Sequence, residues 1–236
     1  MPARLLAPSL GAVNACAGPE EESPYLRPKE FAAGFAYRWL HSFREFHGDE
    51  ELPYPTDPAL YANTHVQGFD LALTYQVTPR ASVTLEIPAQ VGDRTSYYEH
   101  DFVHRFTTRA SGIGDLRLIV NSWLFDPERH HDGNISLGLG VKMPTGQDDA
   151  KDLFHQPTGI VERPVDPAIQ PGDGGWGVIG QLAAFQKIYT NVFAYAQGIY
   201  LSNPRDINHV QQPTGNEPDF TLGEFGYIFN SVPDQY

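Results

Sequence analysis

Gly68-Phe69-Asp70-Leu71-Ala72-Leu73-Thr74-Tyr75-Gln76-Val77, Thr78-Pro79-Arg80, Ala81-Ser82-Val83-Thr84-Leu85-Glu86-Ile87 is the stretch on which the fold turns. Neighbouring side chains of a strand point to opposite faces. One face of the first run is therefore Phe69, Leu71, Leu73, Tyr75 and Val77, and the other is Gly68, Asp70, Ala72, Thr74 and Gln76. The second run repeats this, with Val83, Leu85, Ile87, Ala89 and Val91 against Ser82, Thr84, Glu86 and Gln90. Thr78-Pro79-Arg80 supplies the turn between them, proline presetting the backbone angle a tight turn needs.

Working outward, Phe31–Ser42, Leu116–Asn121 and Ile135–Met143 alternate in the same way. Gly175–Lys187, Asn191–Ser202 and Phe220–Phe229 carry apolar residues on both parities, and their β-branched and aromatic content reads as strand. Connections alternate too. Long ones follow Ser42, Val91, Thr145 and Asn203, while short ones lie at Thr78–Arg80, Asp126–Gly133 and Ile188–Asn191. An up-and-down outer-membrane barrel has this asymmetry, with short periplasmic turns at one end and longer extracellular loops at the other. The expected fold is all-β: an antiparallel up-and-down transmembrane β-barrel with about eight visible strands.

The chain has 236 residues and a formal net charge of −13. That balance speaks against nucleic-acid binding, which needs clustered Lys and Arg. No apolar run reaches the ~18 residues of a membrane helix, and alternating barrel strands do not need one. The sole cysteine, Cys16, excludes an internal disulfide framework. Met1–Ala17 has one charge, Arg4, a short apolar stretch and the small residues Ala15-Cys16-Ala17. Residues 1–24 therefore read as a signal-peptide remnant and polar linker, and 25–236 as one barrel domain. The N-terminus falls on the periplasmic side.

Two arrangements produce the same alternation. A soluble lipocalin-like barrel that binds a hydrophobic ligand points its apolar face inward. A membrane barrel points it at lipid and lines its lumen with the other face. The polar face here is rich in Gly, Ala, Ser and Thr with isolated charges, which suits a crowded lumen better than a solvated surface. Arg38, Asp70, Glu86, Asp115, Arg117 and Lys142 are the candidate lumen-lining residues. They set selectivity in an open channel or pair with one another across a filled one. Tyr37, Trp39 and Trp176 suit an interfacial aromatic girdle.

Acidic residues gather in the long connections, which places an acidic end outside the cell. Asp49, Glu50, Glu51, Asp148 and Asp149 are candidate oxygen ligands for Ca²⁺ or Mg²⁺, able to bridge to lipid phosphates. No other cofactor is expected. Of the nine histidines, His47, His100, His104, His130 and His131 read as solvated loop residues. No catalytic residue is expected. His41 and Ser42 are strand neighbours and face opposite sides, and no Gly-x-Ser-x-Gly elbow occurs.

Ser23-Pro-Tyr-Leu-Arg-Pro28, Phe35-Ala-Tyr-Arg-Trp-Leu-His-Ser42 and His47-Gly-Asp-Glu-Glu51 resemble the start of a family of Gram-negative outer-membrane barrels. That family is described as transporter-like, or as phenol-degradation (meta-pathway) outer-membrane proteins. Gly112-Ile-Gly-Asp-Leu116, Gly138-Leu-Gly-Val-Lys-Met-Pro-Thr-Gly146 and Gln170-Pro-Gly-Asp-Gly-Gly-Trp176 are similar to its later motifs. The resemblance covers most of 23–236. It implies passage of small aromatic or hydrophobic solutes, with outer-membrane lipid and lipopolysaccharide as surroundings. Family members continue past a segment like Ser231–Tyr236 into further strands, so the resemblance implies a larger barrel of about twelve.

Three functions fit these observations: a passive channel, a structural or adhesive barrel with a filled lumen and cation-binding loops, and a soluble ligand-binding barrel. The direction in which Phe31, Phe35, Leu71, Leu85, Leu116 and Leu139 point separates the third from the other two.

Overall fold

The computed structural model describes residues 25–43, 46–47, 50–51, 62–97, 99–190 and 192–204. The alternating runs form one antiparallel sheet curled into a half-barrel. Its strands are β1 (Phe31–Ser42), β4 (Asn63–Gln76), β5 (Ala81–Ser96), β6 (Phe106–Ile113), β7 (Arg117–Trp123), β8 (Gly133–Lys142), β11 (Gly177–Tyr189) and β12 (Val192–Ser202). Two small hairpins stand apart, β2 (Phe46–His47) with β3 (Glu50–Glu51), and β9 (Lys151–Gln156) with β10 (Gly159–Pro164). The expected strand Phe220–Phe229 lies outside the described residues.

Each strand pairs with its neighbours in up-and-down order. The Thr78–Arg80 turn closes as expected: the N–H groups of Val77 and Thr78 donate to Ala81 O, and Thr78 Oγ1 accepts from Ala81 N at 2.9 Å.

The segment after Val91, read above as a long loop, is mostly strand. β5 continues to Ser96 and β6 returns beside it, leaving only 97–105 as the connection. β6 and β7 form one wall strand interrupted by a bulge. Ala89 faces Ile113 and Glu86 faces Arg117, so 114–116 on one strand oppose 87–88 on the other. The extra residue breaks the ladder and re-aims a side chain. It also reverses the inward parity, from Thr108 and Ala110 before the bulge to Arg117 and Ile119 after it. A single period of two cannot run through that break, which is why alternation alone missed β6. Leu116, read above as the start of the alternating run Leu116–Asn121, sits in the bulge itself.

The two faces of the wall are inverted relative to a water-soluble core. Phe31 is 78% exposed, Phe35 62% and Leu139 72%. Leu71, Leu73, Leu118, Val120, Leu137 and Leu182 are exposed on the same convex side, while Leu85 is half-buried. On the concave side Asp70, Thr74, Gln76, Ser82, Thr84, Glu86, Asn121, Ser136 and Lys142 are buried. The outward rows run in register, for example Phe31–Tyr75–Val83–Val120–Leu139. Such cross-strand neighbours stabilise a sheet in pairs.

The interior is closed towards the turn end by Tyr25, Trp123 and Phe185, with Phe193 packed against them. Tyr25 and Trp123 meet edge to face at 5.1 Å between ring centres. The Tyr25 hydroxyl donates to His130 O and accepts from Asn134 Nδ2 at 3.1 Å. This polar handle satisfies a buried phenol.

Near the bulge, Gly114, Gly146 and Gly172 bring three backbones together. A Cβ on Gly146 would lie 2.6 Å from the Gly114 carbonyl carbon, where there is backbone and no flexible side chain to give way. Gly146→Ala is expected to destabilise the protein by about 1–3 kcal/mol, read as a lowered midpoint in urea unfolding. An unchanged midpoint would mean that this contact is not a constraint.

Candidate functional site

The concave face carries the six charged residues singled out from sequence, and their strands bring them together in two groups. Arg38 on β1 and Asp70 on β4 form the first, with Arg38 Nε 2.9 Å from Asp70 Oδ2. Gly68, directly opposite Arg38, leaves room for the guanidinium.

The second group crosses β5, β7 and β8. Glu86 faces Arg117, which faces Lys142. Arg117 Nη1 lies 3.9 Å from Glu86 Oε2, and Lys142 Nζ lies 3.9 Å from Asp115 Oδ2. Lys142 also bonds the carboxylate of Asp173. With its side chain 2% exposed, Lys142 is among the most buried residues of the chain. A buried ammonium is tolerated where carboxylates neutralise it and accept its protons.

Asp115 is the organising residue. Its Oδ1 accepts from Gly146 N at 2.9 Å, and its Oδ2 accepts from Asp173 N at 3.0 Å. The bulge turns this carboxylate inward, and the glycine contacts let both loop backbones reach it. Three sequence motifs that stand far apart, at 112–116, 138–146 and 170–176, therefore meet at one place. Asp173 belongs to the acidic long connection that follows Thr145. It lies beside the charged group on the concave face, and the signal that could have found it is the Gln-Pro-Gly-Asp-Gly-Gly motif around it.

The long connection after β8 turns inward. Asp166 caps a 3-10 turn, Pro167–Ile169, that packs on β4, β5 and β6. Val165 and Ile169 are fully buried against Ala110, Ala150 and Val66. The Gln170 amide binds Ala150 from both sides, accepting from its N–H and donating to its carbonyl at 2.9 Å each. Gln90 on the wall donates to Gln170 O at 2.7 Å.

The loop end holds a second polar cluster. Arg94 Nε is 3.0 Å from Glu99 Oε1 and 3.4 Å from Asp166 Oδ2. Burial pushes the Asp166 carboxyl up, against the pull of Arg94. The Arg163 guanidinium lies 4.1 Å above the Phe154 ring and donates to Glu99 O, and burial pulls its pKa down. Asp101 is held low by hydrogen bonds from the backbone and ring of His104.

His100, read above as solvated, is 1% exposed. It stacks on Phe154 at 5.1 Å, and its Nδ1 accepts from His155 N at 3.1 Å. Nε2 therefore carries the proton of the neutral ring, and it finds no partner among the described residues. Burial lowers the His100 pKa, opposed by Glu99 and reinforced by His155 and Arg163. Alternation and spacing hold no signal for this burial, which depends on the β9–β10 hairpin coming over 97–105.

Of the candidate cation ligands, Asp148 is buried beside Gly174 and Asp149 is exposed. Glu50 and Glu51 form β3, and Asp49 lies outside the described residues. Among the described residues no cluster of three or more His, Cys, Asp or Glu could hold a metal ion.

Comparison with protein-family models and with curated proteins finds no match for the chain.

His100 ties the loop end to pH. The folded form keeps it neutral while the unfolded chain takes up a proton. Its contribution is thus whole above the ordinary imidazole pKa of about 6.5 and falls away as pH drops below it. Asp166 runs the opposite way, because protonation relieves its burial. Trypsin cleavage within 97–105 or 151–164 is expected to accelerate below about pH 6.5 in the wild type relative to His100→Asn. Equal acid sensitivity of the two proteins would exclude His100 as the cause.

Proposed function

We propose that this chain forms the wall of a bacterial outer-membrane β-barrel that passively conducts small solutes. The observation that carries the proposal is the inversion of faces: large apolar side chains outside, paired charges and hydroxyls inside. A soluble ligand-binding barrel requires the reverse. From Phe69 on β4 to Val77 just past its end, the outward apolar run spans nine residues, or eight residue steps. At about 3.4 Å per residue it covers about 27 Å along the strand, or about 20 Å across the membrane at barrel tilt, near the ~25 Å of an outer-membrane apolar band.

Above that band the outward row turns polar, as His41, His65, Asp93 and Arg109 stand in register on four strands. Tyr37, Trp39 and Trp176 are exposed near this end, as an interfacial girdle would be. In this reading the loop end is extracellular, the turns and Tyr25 are periplasmic, and β1 and β12 meet further strands in a closed barrel of about twelve. The resemblance to transporter-like and meta-pathway barrels points to small aromatic or hydrophobic solutes. No reaction is assigned.

The pairing of all six interior charges and the inward packing of 165–173 favour a second reading. In it the barrel is structural or adhesive, its lumen is filled, and its acidic loops bind cations and lipopolysaccharide.

The first reading predicts detergent-dependent extraction, heat-modifiable gel migration and stepwise conductance in planar bilayers. The second predicts the same extraction without conductance. Solubility without detergent would sink both. On the convex face, Leu71→Arg is expected to destabilise the bilayer-inserted protein by about 2–4 kcal/mol, measured by reversible urea unfolding from vesicles. A cost near zero would place Leu71 away from lipid.

A further inference from the structure

Segment 144–176 leaves the wall at Lys142 and rejoins it at Gly177; its first part follows the edge of β6, the β9–β10 hairpin stands at the loop end, and Val165–Ile169 then packs against Ala110 and Val66 on the concave face. Its attachments differ in kind from those of the wall. Wall strands are joined by backbone ladders, interrupted at the bulge between β6 and β7. Backbone-to-backbone bonds tie the start of the segment to the wall: Met143 N, just before it, donates to Leu116 O, and Gln147 N donates to Ile113 O at 3.3 Å. Beyond Gln147 no strand ladder joins the two among the described residues, and side chains take part in the contacts: Asp152 with Arg109 N, Asp166 with Arg94, Gln90 with Gln170 O, Asp115 with Asp173 N, and Asp173 with Lys142. The buried apolar patch under it is small, built of Val165, Ile169, Ala110 and Ala150. Regions with few apolar contacts and side-chain attachments open at lower free energy than laddered strands.

The wall is shaped to receive this segment. Gly92 lies under Ile169, and Gly112 under Pro171; a Cβ at Gly92 would come 2.8 Å from Ile169 Cβ. The wall glycines thus form a seat, and its occupant is the segment itself. At the far end Gly174 takes a positive φ of 73°, a backbone state that glycine adopts without strain.

We propose that Val165–Gly174 is a releasable constriction within the barrel, that Lys142 is its latch, and that this segment determines the size of solute that passes. The inference rests on the passage reading above. Latched, the segment fills the glycine seat and the interior charges are paired. Released, it uncovers Gly92, Ala110 and Gly112 and widens the lumen without breaking any wall ladder. Lys142 and Asp173 part in that movement, and Asp115 loses the Asp173 N–H while keeping that of Gly146.

A disulfide lock tests it. The Cβ of a residue at 112 would lie 3.4 Å from Pro171 Cβ, close to the ~3.5–4.5 Å of natural disulfides. Gly112→Cys/Pro171→Cys, made with Cys16→Ser, should conduct in planar bilayers at about one tenth of its reduced level when oxidised, and a reductant should restore the current. Lys142→Met should raise the open fraction. Equal currents from the oxidised and reduced forms, with the disulfide verified by mass, would overturn the proposal. Hydrogen exchange provides a readout independent of current. Amides of 165–174 should exchange about tenfold faster than those of 135–141, and faster still in Lys142→Met. Equal protection of both segments would overturn the latch and leave the passage reading standing. Absence of current from every form, with exchange as expected, would overturn passage while leaving a releasable segment.

Discussion

A carboxylate that accepts two backbone N–H groups holds this structure's interior together. Asp115 binds the amides of Gly146 and Asp173, and both belong to a connection that would otherwise be free to extend away from the barrel. Hydrogen bonds to an ionised acceptor are the stronger kind, and here they close three segments around one point. The bulge at 114–116 turns Asp115 inward, and glycines at 114, 146 and 172 permit the approach. Lys142 is buried because Asp115 and Asp173 are there to receive it.

The wall obeys a different constraint. Its backbone polar groups are satisfied strand to strand, so its side chains are free to sort by face. Large apolar residues take the convex face and polar ones the concave. A sheet sorted this way is stable in water only if its outer face is covered, and lipid is the cover that the membrane reading supplies.

Much of the wall was legible in the chain. β1, β4, β5 and β8 alternate cleanly, and the Thr78–Arg80 turn carries its own signature. β11 and β12 were harder because both parities hold apolar residues. On β11 the inward Ile179 and Phe185 pack inside the curve while Val178 and Leu182 face out. β6 was missed because a bulge shifts its parity relative to β7. His100 and Asp173 were misplaced for a common reason. Each is placed by a segment distant in sequence, His100 buried by β9 and Asp173 held by Asp115 at the bulge, and local pattern holds no record of such contacts.

The order of residues determined by itself which side chains share a face, because the pleat alternates with a period of two whatever the surroundings. It also determined where chain direction reverses, through turn chemistry at Thr78–Arg80 and the lengths of the other connections. Alternation is symmetric between inside and outside, so it could not choose the concave face. That choice was made by the curl of the sheet. Tertiary structure also decided which charges pair and that 165–173 packs inward, since both depend on side chains brought together from strands tens of residues apart.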